Sequence, residues 1–143
     1  MSKIVPYLSS SAADFASAEK FEGLESFVAG GSIAVGEAVV FDTAASPSGA
    51  ISATVVKAPT SAQYAIGVAT TAAAAGEAVQ VQIRGLCLAS VDAGVAAGVL
   101  VYPSASTAGE LDNAAGAVVG SLAVGITFDV GSASCPVLLS PIL

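Results

Sequence analysis

The side chains best suited to acid–base, metal or covalent chemistry are eleven carboxylates and two thiols, and the sequence has no histidine. That removes the usual general base, the Ser-His-Asp triad and any His-ligated metal. Glu19, Glu22 and Glu25 recur every third residue, but they fall in a candidate N-terminal arm with no cleft and read as solvated carboxylates. Glu37 and Glu77 each follow a glycine and precede an apolar run, which places them in exposed turns. Asp92, Glu110, Asp112 and Asp129 do not have the spacing of a calcium-binding EF-hand loop. Two distant carboxylates could meet for glycoside hydrolysis. A sugar platform needs aromatics, however, and the chain has no tryptophan and three tyrosines. Neither Gly30-Gly31 nor Gly94–Gly98 fits a dinucleotide or Walker A loop. Ser9-Ser10-Ser11 reads as a linker or cap. Cys87 and Cys135 lie 48 positions apart with no CxxC pattern. They read as small, buried, reduced side chains, and spacing alone does not decide whether they pair. No catalytic, cofactor or metal site is expected, and the protein is not expected to be an enzyme.

Composition narrows what is left. A chain of 143 residues suits one domain, and a domain near that size buries roughly 68–70% of its unfolded surface. Charged residues make up 10% of the chain and apolar ones 55%, against about 25% charged in an ordinary soluble protein. The surface must therefore be Ala, Ser, Thr, Gly and Gln, which suits contact with another protein. Mean hydropathy is +0.83, but Gly, Pro and Ser interrupt every apolar stretch before the roughly 20 residues a spanning helix needs. No membrane span and no signal peptide is expected. The net charge is −7, with four scattered basic residues, Lys3, Lys20, Lys57 and Arg84. Nucleic-acid binding needs such residues clustered, so no nucleic-acid partner is expected.

These residues have to be positioned by a chain that reads in two parts. Residues 1–30 hold six of the fifteen charges and three of the five phenylalanines. Ala12, Phe15, Ala18, Phe21, Leu24 and Phe27 recur every third position, a period that drifts around an α-helix. The segment reads as an N-terminal arm, extended over residues 3–9 or partly helical after the possible cap Ser11. A helix packed on its own domain is the other reading. Residues 31–143 read as a β-rich core. Val79, Val81 and Ile83 alternate with Gln80 and Gln82, which predicts a strand with Val79, Val81 and Ile83 inward and the glutamines outward. Four alanines at 72–75 are too few for a helix alone and predict a loop. Ile33-Ala34-Val35-Gly36 before Val39-Val40-Phe41 is matched by Val95-Ala96-Ala97-Gly98 before Leu100-Val101-Tyr102. Ala65-Ile66-Gly67-Val68-Ala69 is matched by Ala123-Val124-Gly125-Ile126-Thr127. Gly36 and Gly98 are 62 positions apart, and Gly67 and Gly125 are 58 apart. Two anchor pairs in one order predict a duplicated β unit, about 33–83 and 95–139. Two copies are too few for a solenoid, so the expected fold is all-β, a compact β-barrel or β-sandwich in which each half covers the other.

The order Ile66-Gly67-Val68-Ala69, Gly76-Glu77, Val79–Gly85, Ala96–Tyr102, Val124-Gly125-Ile126 and Val137-Leu138-Leu139 resembles the capsid decoration (cement) proteins of tailed bacteriophages. The likeness covers about residues 33–139. It implies a structural protein on the outer surface of the virion, made in the host cytoplasm. It further implies a homotrimer that binds the major capsid protein and stabilises contacts between its subunits. It also implies an N-terminal arm that adds to a sheet edge of the capsid protein. Ile4, Val5, Tyr7 and Leu8 are then the candidate strand-adding residues. Phe15, Phe21, Leu24 and Phe27 are the candidate pocket anchors, because aromatic anchors dominate interface energy. Another virion or cell-surface β module, such as a head-fibre or tail component or a carbohydrate-binding domain, is the alternative.

Overall fold

A computed structural model describes residues 23–140 of the chain. Among them there is no α-helix, and ten strands carry the fold, as the all-β expectation required. Strands β1 (Leu24–Ala29), β2 (Ala38–Phe41), β3 (Thr54–Lys57), β4 (Gly67–Ala69) and β5 (Ala78–Gln82) close a barrel in the order β1-β3-β2-β4-β5. Strands β6 (Gly85–Ala89), β7 (Leu100–Pro103), β8 (Leu111–Asp112), β9 (Gly125–Thr127) and β10 (Cys135–Leu139) form a second sheet in the order β6-β10-β9-β7-β8.

Followed around the barrel from β1, the first unit runs β1-β5-β4-β2-β3, and the second sheet repeats that order strand for strand. The repeat reaches individual hydrogen bonds. Gly36 N donates to Ala69 O, and Gly98 N to Thr127 O, both at 2.8 Å. Ile66 N donates to Val39 O at 2.9 Å, and Val124 N to Val101 O at 2.7 Å. Even the one parallel contact recurs, as Ala29 beside Val55 and Val91 beside Leu111. The expected duplication is therefore present, with the two glycine pairs at matching positions. Each unit is longer than 33–83 and 95–139 by one leading strand, β1 and β6. Residues 24–29, which the sequence placed in an arm spanning 1–30, form a wall of the first barrel between β5 and β3.

Period-two alternation decides which side chains enter each unit. Ile33, Val39, Val55, Val79 and Val81 are buried inside the first barrel. Their counterparts Val95, Val101, Leu111, Cys135 and Val137 are buried in the second unit. Glycines fix the strand crossings. A Cβ on Gly67 would collide with the Gln82 carbonyl oxygen, and one on Gly125 with that of Leu138. A glycine inside a strand marks such close backbone approach.

The second unit is held open by the first. Gly36 O accepts a hydrogen bond from Ser90 N and Ala38 N donates to Gly109 O, both at 2.8 Å. The start of β2 is thus wedged between the end of β6 and the residue before Glu110. Gly109 N in turn donates to Ala58 O at 2.8 Å. Around this wedge Ala38, Val40, Ala58, Ala62, Ala65 and Val68 join the core of the second unit. The same packing corrects one expectation. Val79 and Val81 point inward as expected, but Gln82 is not at the solvent face: it is buried, and its amide Nε2 donates to Arg84 O at 2.6 Å. The outer face of β5 is covered at that point, and a buried amide needs a hydrogen-bond partner.

Candidate interaction surface

Alternation that fills the second unit with Val101, Val137 and Cys135 sends the intervening residues outward, and here they are apolar as well. Leu86 lies opposite Leu138, Leu138 opposite Ile126, and Ile126 opposite Leu100. The four make one row across β6, β10, β9 and β7, and all are exposed. A second row runs alongside. Leu88 faces Pro136 across the β6–β10 pair, and Phe128 N donates to Pro136 O at 2.8 Å. Leu88 and Phe128 are each 56% exposed. None of these four strands contains a charged residue. A contiguous exposed apolar patch marks an interaction site far better than scattered apolar residues do.

The duplication supplies an internal control. The first-unit counterparts of Leu100, Ile126 and Leu138 are Ala38, Val68 and Gln82, by the matched strand pairings. Those three are 0%, 0% and 1% exposed, whereas Leu100, Ile126 and Leu138 are 49%, 39% and 42% exposed. Gly36 meets Ser90 and Ala133 of the second unit, whereas its counterpart Gly98 faces open space. Among the described residues, one face of the repeated unit is thus covered in its first copy and bare in its second. The counterparts of Leu88 and Phe128 are Ser26 and Thr70, which are exposed and polar.

Of the candidate arm residues, Ile4, Val5, Tyr7, Leu8, Phe15 and Phe21 lie outside the described residues. Leu24 opens β1 opposite Gln82 and is partly buried. Phe27 packs on the core of its own barrel, edge-on to Phe41 with ring centroids 6.2 Å apart. The structure brings neither Leu24 nor Phe27 to the apolar face. That face was missed in the sequence because Gly85–Ala89 and Cys135–Leu139 are apolar on both sides, and such a run reads as a fully buried strand.

The ionisable groups serve local structure. Glu77 occupies an exposed turn, as expected; Glu37 also lies in a turn but is not exposed as expected, since it is partly buried with its carboxylate 3.6 Å from Lys57 Nζ. Each carboxylate accepts from the amide three residues back, Ala34 or Ala74, at 2.8 Å. The glycines before them, Gly36 and Gly76, have φ of 91° and 88°, the left-handed backbone a type II turn requires. Burial, reinforced by the charges of Asp92 and Asp112, raises the Glu110 carboxyl pKa above its usual range, against an opposing hydrogen bond from Thr107. Cys87 and Cys135 are both buried and unpaired, and burial pushes the Cys87 thiol up to about 12. Among the described residues, no group of three or more His, Cys, Asp or Glu side chains is placed to hold a metal ion. Among the same residues, no helix is long and apolar enough to cross a membrane. What the site can do chemically is exclude water against another apolar surface. No protein-family model and no curated protein matches the chain.

Proposed function

We propose that this is a structural virion protein that binds the outer surface of a phage head, as a homotrimer, and stabilises contacts between major capsid subunits. The observation that carries this reading is the uncharged apolar face of Leu86, Leu88, Leu100, Ile126, Phe128 and Leu138, which is suited to contact with protein rather than water. The low charge of the whole chain supports it, as does the resemblance of its sequence motifs over about residues 33–139 to capsid decoration proteins. Ile4, Val5, Tyr7 and Leu8 are proposed to add a strand to the capsid protein, with Phe15 and Phe21 as anchors. Leu24 and Phe27 are not carried forward in that role, since β1 belongs to the first barrel. Several such contacts made at once by one oligomer give avidity without any strong single contact.

The test is mechanical. Mature, genome-filled heads lacking decoration are heated with and without the protein, and DNA release is followed. The expected result is a higher release temperature that saturates with added protein. An unchanged release temperature at saturating protein would remove the cementing role and favour a fibre, tail or sugar-binding module.

A further inference from the structure

We propose that the bare face of the second unit binds a second copy of this chain, head to tail, with the Val28 side of that copy's first barrel packed on Leu100, Ile126 and Leu138. The inference deepens the homotrimer part of the proposed function, but it stands on the duplication and can fail by itself.

The chain already contains this contact once. The face of the first unit that includes Gly36, Ala38 and Val68 is covered by the second unit through Ser90, Gly109 and Ala133. The corresponding face of the second unit, at Gly98, Leu100 and Ile126, has no cover among the described residues. The residues that do the covering also have counterparts. Ser90 and Gly109 match Val28 and Ala53 of the first barrel, since both pairs flank the recurring parallel contact. Val28 is 43% exposed and apolar, and Ala53 is exposed. One copy therefore offers the bare face, and the next offers exposed Val28 and Ala53, which flank the counterpart of the slot that covers it. A face and a covering side on opposite units make a heterologous contact, which closes into a ring or runs on as a filament.

The contact between copies differs from the internal one in a way the side chains reflect. In the second unit β6 and β8 are spread, so the wedge at Gly36–Ala38 reaches backbone groups there. In the first barrel β1 and β3 are paired through Val28 and Thr54, and that slot is shut. A second copy must therefore be held by side-chain area rather than by inserted backbone. Leu100 stands where the wedge has Ala38, and Leu138 where the first unit has Gln82.

The test uses the full chain and measures mass by sedimentation. Wild type is expected as a multi-chain species. Ile126→Glu and Val28→Glu are each expected as single chains, and an equimolar mixture of the two as a two-chain species, because each retains the side the other lacks. Thr70→Glu, on the polar counterpart of the apolar face and two strands away from β1, is expected to keep the wild-type mass. Circular dichroism confirms the fold of each variant, and Leu138→Glu replaces Ile126→Glu should the latter not fold. A single-chain wild type at the highest soluble concentration would overturn the proposal. So would a wild-type mass for Val28→Glu beside a single-chain Ile126→Glu, since the face would then pair with itself. Loss of head binding with the oligomer intact would count against the capsid reading alone.

Discussion

Cys87 joins burial to a measurable titration. Its thiol is pushed up to about 12 from an ordinary value of 9.0 by loss of water contact. In the unfolded chain it ionises near its ordinary value, so between those values the native state holds a proton the unfolded state has released. Stability from this group is full below pH 9 and falls as pH rises toward 12. Cys87→Ala is expected to flatten the alkaline decline in thermal midpoint, measured by circular dichroism across that range. Glu110 has the same sign at acid pH. Burial and the neighbouring Asp92 and Asp112 raise its pKa, so its ionisation in the native state costs stability as pH rises through that raised value. Glu110→Gln should be more stable than wild type at neutral pH, and the difference should close below the ordinary pKa of 4.5. Packing sets a larger scale. Leu111 is fully buried in the second unit, and Leu111→Ala should cost about 2–5 kcal/mol by denaturant unfolding. Val119→Ala, at a 93% exposed position, should change stability by no more than about 0.5 kcal/mol.

At the scale of strands, Gly67 and Gly125 hold matching places where β4 crosses β5 and β9 crosses β10. A methyl group at either must displace backbone, so Gly67→Ala and Gly125→Ala should each cost about 1–3 kcal/mol, as overpacking does. Similar losses at both positions would be expected of a duplicated unit, and a neutral result at either would contradict the crossing geometry. These glycines were legible as repeat anchors because close backbone approach admits no other residue. Strand β5 was legible from the alternation of Val79 and Val81. Gln82 was misread because alternation identifies the two faces of a strand but not what later covers them. For the same reason Leu86 and Leu138 gave no warning of exposure: a strand apolar on both sides carries no mark of which side is left bare. Strand β1 escaped because its sequence, Leu-Glu-Ser-Phe-Val-Ala, puts charged and polar residues on a wall that joins β3 and β5 mainly through its backbone.

For the molecule as a whole, the duplication turns one surface into two different environments. In the first unit it is an internal interface of small residues and backbone hydrogen bonds, and in the second it is an open apolar face. A protein carrying such a face with few charges is suited to an assembly in which that face is covered. The most direct measurement of the capsid role is co-sedimentation with mature phage heads stripped of their decoration, using wild type and a variant with Ile4, Val5, Tyr7 and Leu8 replaced by serine. Saturable binding by wild type, weakened at least tenfold in the variant (about 1.4 kcal/mol), is the expected result. Absence of wild-type binding to the heads at any concentration would contradict it.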